Sequence, residues 1–396
     1  MRVVILRSNL ETVSPRGIKT AKALSSAGHK VNFLGWDREG KHSKVVCTDF
    51  YESYRFKLKA PYGFKIIFYL PVWWFFEFLW LMQTKWDVVH AIDFDAVVPA
   101  VIAAKIKRKP VIYEIADIFE MGMQLPAWLR NVCIAIDKLF MYFVDGMILV
   151  NEKVIEEFNG IPNKNIIVIY NSPPDFFEQR NSYCLRNNNI FTLFYASALH
   201  KSRQLILEKV FEAVKKISGT RIIIAGYIVE QTKKIKEWTE KERDKVKFLG
   251  QISYVEVLEE TMASDLLFCF YDPAIPNNKL STPNKLFEAM MCGKPILVSK
   301  GTLAAEIIEK ENCGLAVDCN SIKEIKEAIL KLKENPELCR QFGKNGRRAY
   351  ERQYSWKSME QRLLEFYQEI SKIKPYYAKK KDKRKEKSIN ADMFFS

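Results

Sequence analysis

No Cys-x-x-Cys pair occurs among the eight cysteines of this 396-residue chain, at positions 47, 133, 184, 269, 292, 313, 319 and 339. Most sit within apolar runs, so they read as reduced, buried thiols. No secretory signal opens the sequence: Met1-Arg-Val-Val-Ile-Leu6 goes straight into a folded pattern without a small-residue cleavage site, which places the chain in the cytoplasm. The loop from Arg7 to Gly17 lacks the Gly-x-Gly-x-x-Gly turn of dinucleotide oxidoreductases. Motifs for binding RNA or DNA are missing, which leaves nucleic acid out of the expected partners. Asp93-Phe-Asp95 is the one Asp-x-Asp pair, and it stands in the amino half.

What is present is enough chain for two domains and a tail. Hydrophobic residues make up 48% and charged residues 28%, near the average soluble protein, which excludes wholesale disorder and a multi-pass membrane protein. Two quantities depart from average, a formal net charge of +15 and 13% aromatic residues. A basic balance suits nucleic acid, anionic lipid or a phosphorylated substrate. Part of it lies in Lys379 to Lys387, a stretch with no apolar period.

The apolar run Val3 to Leu6, a polar loop, the helical pattern Ile18 to Ala27, Gly28 and the run Lys30 to Leu34 make a βαβ unit, the start of an open parallel sheet. Short strands follow at 87–90, 110–113 and 146–150. After the Pro- and Asn-rich segments Asn171-Ser-Pro-Pro174 and Asn187-Asn-Asn189 the alternation restarts, with strands at 191–195, 221–225, 245–249, 266–270 and 295–298 and helices at 323–333, 336–352 and 357–372. The division expected is a first α/β domain over 1–175, a hinge over 176–190, a second over 191–354, a terminal helix over 355–373 packing back on the first domain, and a basic disordered tail over 374–396. Paired open sheets bind ligands where strand carboxyl ends meet.

Residues 63–82 raise the question of a transmembrane helix. Lys65, Pro71 and Glu77 interrupt them and Asp87 soon begins a strand, so a spanning helix is rejected. A helix lying in the plane of an anionic bilayer, with Arg55, Lys57, Lys59 and Lys85 nearby, suits the composition, and so does a helix buried against the first sheet. The tryptophan content leans toward membrane contact, with Trp73 and Trp74 as the inserting side chains.

Thr282-Pro283-Asn284-Lys285 reads as a helix start after the strand ending at Phe270, with Thr282 as hydroxyl cap and Pro283 at the first helical position. Its free amides and dipole suit a diphosphate, Lys285 adds a charge, and Glu288 one turn on can accept from vicinal ribose hydroxyls. The run Pro283 to Val298, with Gly301, Glu306-Ile-Ile308 and Cys313-Gly-Leu-Ala-Val317, resembles the donor-binding region of retaining glycosyltransferases of family 4, glycosyl transferases group 1, and the chain is identified as a divergent member. Ala27 to Val31, Asp87 to Asp93, Tyr113 to Asp117, Ile222 to Gly226, Val246 to Gly250 and Gly346 to Tyr350 extend the resemblance along the chain. The resemblance implies an α/β fold of the GT-B class, two Rossmann-like doubly wound domains facing a central cleft.

It also implies residue roles. Glu288 matches the second glutamate of the family's Glu-x7-Glu pattern, a ribose contact; Thr282, Asn284 and Lys285 fall at the donor phosphates; and Arg203 takes the place of the phosphate-binding lysine. Gly226, Leu249, Gly250 and Ile252 fall at strand ends that frame the donor, and Glu306 lies in the donor region. Departures are Leu280 for the first glutamate, Ala198 for the usual arginine, Ala116 for a frequent histidine and Thr302 for the second glycine of a pair, with Asn277, Asn278, His200 or Lys201 as candidate replacements.

The expected function is transfer of a sugar from a nucleotide-sugar donor to a glycan or lipid-linked acceptor at the inner membrane face, peripherally bound, with retention. No metal or other cofactor is expected; Arg203, Lys285 and the helix start oppose the charge on the leaving diphosphate, which itself assists the acceptor proton. Asp93 and Asp117 are the catalytic candidates of the first domain, Arg16, Gly17 and Glu114 its acceptor-side candidates, with a helix cap as the equal alternative for Asp117. His90 reads as an internal packing or hydrogen-bonding residue. A non-catalytic sugar-nucleotide or membrane-surface subunit, and a GT-B-like sugar-nucleotide epimerase, are the alternatives.

Overall fold

The computed structural model describes residues 1–11, 15–61, 63–118, 125–158, 160–176, 190–199, 201–228 and 233–372. The tail 374–396, nearly all of the expected hinge, Cys184 and His200 lie outside them, as does the side chain of Lys201. The chain forms two compact units, Met1–Tyr170 joined by the chain from Glu360 onward, and Asn171–Met359.

The first unit runs β1 (Arg2–Arg7), α1 (Pro15–Ser26), β2 (Lys30–Asp37), β3 (Val45–Cys47), β4 (Glu52–Lys57), α2 (Leu70–Gln83), β5 (Val88–Ile92), α3 (Phe94–Lys107), β6 (Val111–Ile115), α4 (Ala127–Met141), β7 (Gly146–Leu149), α5 (Lys153–Glu157) and β8 (Ile166–Val168). Its strands lie in the order β3-β4-β2-β1-β5-β6-β7-β8. All neighbours are parallel except β3 and β4. Strands β1, β5, β6 and β7 are buried on both faces, as near-continuous apolar runs require in a helix-covered parallel sheet. The edge pair β3 and β4 escaped the sequence reading because Val45–Cys47 is short and Glu52–Lys57 alternates with charge. Cys47 on that edge is exposed, a correction to the expectation of buried thiols.

The second unit runs β9 (Phe191–Ala196), α6 (Lys201–Lys215), β10 (Thr220–Ala225), α7 (Lys233–Lys241), β11 (Val246–Phe248), α8 (Tyr254–Ala263), β12 (Leu266–Cys269), α9 (Pro276–Lys279), α10 (Asn284–Met291), β13 (Ile296–Ser299), α11 (Leu303–Glu311), β14 (Gly314–Val317), α12 (Ile322–Lys333) and α13 (Pro336–Ala349). The strand order is β11-β10-β9-β12-β13-β14, parallel throughout. Helix α13 ends in a π turn, Tyr350–Tyr354, before α14 (Trp356–Lys372). Residues 173–175 join this unit because the Tyr350 hydroxyl donates to the Pro173 carbonyl at 2.8 Å and Arg347 pairs with Asp175 at 2.6 Å.

Beyond Met359, α14 packs on the first sheet. A Cβ at Gly146 would lie 2.5 Å from both Ile370 Cδ1 and Phe366 Cζ, so glycine lets those side chains sit directly on β7. In each sheet the chain reverses direction across one strand: β1 lies between β2 and β5, and β9 between β10 and β12. Those two switch points, at strand carboxyl ends, are where an open parallel sheet offers a crevice.

Candidate functional site

At the second unit's switch point, β9 ends at Tyr195-Ala196 and β12 runs on into Phe270-Tyr271. Helix α6 follows β9 and carries Arg203, whose guanidinium donates to the Phe270 carbonyl at 3.1 Å and stacks 3.8 Å from the centre of the Tyr271 ring. Lys285, in the first turn of α10, places its ammonium 5.3 Å from the centre of the Tyr195 ring. Burial works against both cations, but electrostatic interaction with the groups around them, led by Tyr271 for Arg203 and Tyr195 for Lys285, more than offsets it and holds both above their ordinary values. The Tyr271 hydroxyl is pushed up to about 12, mainly by burial. Two cations on one tyrosine-lined corner are therefore charged at every working pH, as stabilisation of an anion requires.

Helix α10 begins one residue later than its sequence suggests. Pro283 precedes the first helical residue, Asn284, and no side chain caps the end, so the expected cap Thr282 is a buried neighbour instead. The Leu286 amide turns back to the Pro283 carbonyl at 3.0 Å, and the amides of Asn284 and Lys285 are the ones such a helix start presents to an external acceptor. The buried Asn284 Oδ1 has no hydrogen-bond partner in the structure, an acceptor with its capacity unspent beside Lys285. Glu288 is buried, with the Tyr254 hydroxyl of α8 donating to its Oε1 at 3.1 Å. Burial, then the Glu288 charge, raises the Tyr254 hydroxyl well above its usual value, so Tyr254 stays protonated and able to donate to Glu288.

Gly226 closes β10. Its φ is +137° and a Cβ there would sit 1.8 Å from the Ser197 carbonyl oxygen, so the packing of β9 and β10 demands glycine with or without a ligand. The Gly226 amide donates to the Gly250 carbonyl at 2.7 Å, which aligns the Leu249-Gly250 end of β11 beside it; Ile252 follows, partly buried. Glu306 is exposed in the first turn of α11. Thr302, which stands where the family has glycine, caps that helix: its side chain accepts from Ala305 and donates to the Ser299 carbonyl at 2.7 Å. Among the replacement candidates, Asn278 spends its amide on the Asp272 carbonyl at 2.9 Å; Leu280, standing where the first glutamate was expected, closes the short α9.

In the first unit the switch point is polar and buried. Asp93, at φ +69°, accepts the amides of Ala116 and Asp117 at 2.9 and 3.0 Å and pairs with Arg7 at 3.2 Å, holding the end of β6 against β5. A non-glycine residue in this region marks strain kept for a purpose. Asp95 takes the Ser8 hydroxyl, which also accepts from Arg38 at 2.8 Å. Asp117 is exposed, and residues 119–124, which would show a helix after it, lie outside the described ones. Arg16 and Gly17 are not in a loop as expected but in the first turn of α1, both buried. Arg16 pairs with Glu114, which also faces His90 Nε2 at 2.8 Å, while His90 Nδ1 meets the Tyr367 hydroxyl at 2.7 Å. Burial lowers His90 to about 3, so it is neutral and internal, and lowers Arg16 to about 9, still a cation at pH 7. Arg16 thus spends Nε on Glu114 and Nη1 on the Ile169 carbonyl at 2.7 Å, and its buried Nη2 has no hydrogen-bond partner among the described residues. Beyond β2 and β4, an open pocket of about 450 Å³ is lined by Arg38, Glu39, Lys41, Lys59, Ala60, Pro61 and Tyr69.

The structure brings together Arg203, Lys285, Asn284 and the α10 start, and places Glu288 one turn along. It places Asp93, Asp117, Arg16, Gly17 and Glu114 in the other unit. Tyr195 and Tyr271 were missed because an aromatic at a strand end reads as core until the register shows which strands are neighbours, and Tyr254 because nothing local ties the start of α8 to Glu288 on α10. Among the described residues no group of three or more His, Cys, Asp or Glu is placed to hold a metal ion.

Residues 18–172 match the family model Glycosyltransferase Family 4 and residues 175–349 match Glycosyl transferases group 1. The curated relatives align over 110 to 127 residues, so this chain covers between 27% and 34% of their length. One is a GDP-mannose-dependent monoacylated alpha-(1-6)-phosphatidylinositol monomannoside mannosyltransferase of Corynebacterium glutamicum, 28% identical over 31% of this chain and 32% of its own. Sucrose-phosphate synthase from Thermosynechococcus elongatus shares the fold with a TM-score of 0.72 at 15% identity, over 93% of this chain and 99% of that one. Anabaena HepE, solved in complex with UDP, does so at 0.67 and 15%, over 93% and 100%. The fold is therefore GT-B, two Rossmann-like α/β domains.

Proposed function

We propose, for a chain that belongs through its two matched domains to the glycosyltransferases of family 4 and group 1, that it transfers a sugar from a nucleotide-sugar donor to a glycan or lipid-linked acceptor. The observation that carries this reading is the convergence of Arg203, Lys285 and the uncapped start of α10 on one switch point. A leaving nucleoside diphosphate develops negative charge, and two permanently charged cations with free amides oppose it without a proton changing hands. Glu288, oriented by Tyr254, is the ribose acceptor, and the strand end Leu249-Gly250-Ile252 frames the base.

The route is retaining and metal-independent, with the leaving phosphate assisting the acceptor proton. Support for dispensing with a metal comes from the cations already at the phosphate corner. Asp93 and Asp95 are engaged instead with Arg7, backbone amides and Ser8. Asp93 and Asp117, linked at the ends of β5 and β6 by the Asp117 amide donating to the Asp93 carboxylate, position the acceptor next to the buried Arg16 and Glu114. The acceptor is lipid-linked, at the inner face of the membrane where the chain is peripherally bound. The Corynebacterium relative, whose name specifies a phosphatidylinositol mannoside, favours this reading.

A panel of UDP-, GDP- and ADP-sugars read by thermal stabilisation tests the donor site. One donor class is expected to stabilise the wild type and to lose its effect in Arg203→Ala and Glu288→Ala. No response to any donor, with both variants unchanged, rejects the reading.

A further inference from the structure

The helix layer α2-α3-α4 of the first unit leaves apolar side chains in water on every one of its members. On α2 the exposed positions are Val72, Phe75 and Leu79, continuing Phe68 just before it at the same helical spacing, with Phe75 at 64% and Phe68 at 73%. Helix α3, which packs against both others, exposes Ile102 and Ile106. On α4 the stripe is Trp128, Val132 and Leu139, with Tyr142 next along the same face; Trp128 is 69% exposed. These three outward stripes belong to adjacent helices of one layer. A soluble surface rarely keeps so many large apolar residues together without a partner.

The charges name the partner. Every carboxylate on these three helices, Glu77, Asp95 and Asp137, is buried, whereas Lys105, Lys107, Arg130 and Lys138 are not. Lys65 and Lys85 flank α2, both exposed. Three helices that show apolar side chains and cations but no exposed carboxylate of their own, edged by tryptophan and tyrosine, fit a headgroup region of negative charge. A second copy of the same face would bring like charges together. We infer that the α2-α3-α4 face docks on an anionic bilayer, with Phe68, Phe75 and Trp128 as its inserting side chains. The membrane contact proposed above is thereby moved from one helix to three. Trp73, expected to insert, is instead fully buried, stacked on Trp36 at 5.6 Å with its indole N–H donating to the Asp95 carbonyl at 2.9 Å. Docking of this face does not require that the donor site be read correctly.

Co-sedimentation with vesicles of phosphatidylcholine, alone or mixed with phosphatidylglycerol, tests it on the full chain. The wild type is expected to bind the mixed vesicles. The double variant Phe75→Ser/Trp128→Ser should bind about tenfold or more weakly. Arg130→Gln and Lys138→Gln should each weaken binding about fivefold, and added salt should act the same way. Thermal unfolding of the variants at the wild-type midpoint shows that they fold. The inference is overturned if the wild type ignores the mixed vesicles, or if the folded double variant binds as the wild type does. It is equally overturned if sedimentation velocity shows a dimer that the double variant dissociates while vesicle binding persists. Loss of donor stabilisation in Arg203→Ala with vesicle binding intact separates this face from the donor site.

Discussion

Replacing Arg203 by alanine removes one guanidinium and two local supports at once. In the structure the side chain is held by the Phe270 carbonyl at 3.1 Å and the Tyr271 ring at 3.8 Å, so its fork is already oriented before any ligand arrives. A pre-oriented charged hydrogen bond to a diphosphate is worth about 1.5–3 kcal/mol, because little side-chain entropy remains to be lost. At about 1.4 kcal/mol per factor of ten, UDP, GDP or ADP should bind roughly ten- to hundredfold more weakly to Arg203→Ala. Arg203→Lys retains a charge but neither the fork nor the stacking, and should fall between. Isothermal titration with the three free diphosphates measures the loss without requiring turnover. Folding stability should change by only about 1–2 kcal/mol, the value of a partly buried hydrogen bond and ring contact. If Arg203→Ala binds the preferred diphosphate with wild-type affinity, phosphate binding at the β9/β12 switch point is refuted.

Trp73→Ala should cost about 3–5 kcal/mol in urea unfolding, since it empties a core site and strips the Asp95 carbonyl of a donor, whereas Phe75→Ser, two residues on and on the opposite face, should cost little. Gly226→Ala should lose several kcal/mol, roughly 3 or more, or fail to accumulate as folded protein, because its Cβ meets the Ser197 carbonyl; circular dichroism melts report it. Burial, then the charge of Asp93, raises Asp95 to about 6, and burial with the Asp95 charge raises Glu77 well above the carboxylate range. Both carboxyls hold protons more tightly folded than unfolded, so stability falls as pH rises from about 4 through 6. Asp95→Asn and Glu77→Gln should flatten that fall, by on the order of 1–3 kcal/mol, in urea titrations at pH 4 and pH 7.5.

The two sheets, the alternation of strands and helices and the helix start near residue 284 were all legible locally. Runs such as Val3–Leu6 and Ile222–Ala225 are apolar on both faces, and that alone requires helices on both sides of a parallel sheet. Lys285 and Arg203 could be named because a cation near a helix start is a local pattern. Their shared surroundings could not: Tyr195 and Tyr271 lie 76 positions apart in number and become neighbours only because β12 pairs with β9 across the switch point. Which face of an amphipathic-poor helix is wet was equally illegible. Helix α2 is apolar all round, so no periodicity separates Trp73 from Phe75.

By itself, then, the amino-acid order determined the class of the fold, its two halves and the place where a diphosphate-ready helix begins, since each rests on neighbours within a few residues. Strand order decided the rest. Only the pairing of distant strands sets Arg203 on Tyr271, buries Arg16 against Glu114 and turns α2 so that Trp73 enters the core while Phe75 meets the solvent. Side-chain direction depends on packing against chain remote in sequence, and no local pattern carries that information.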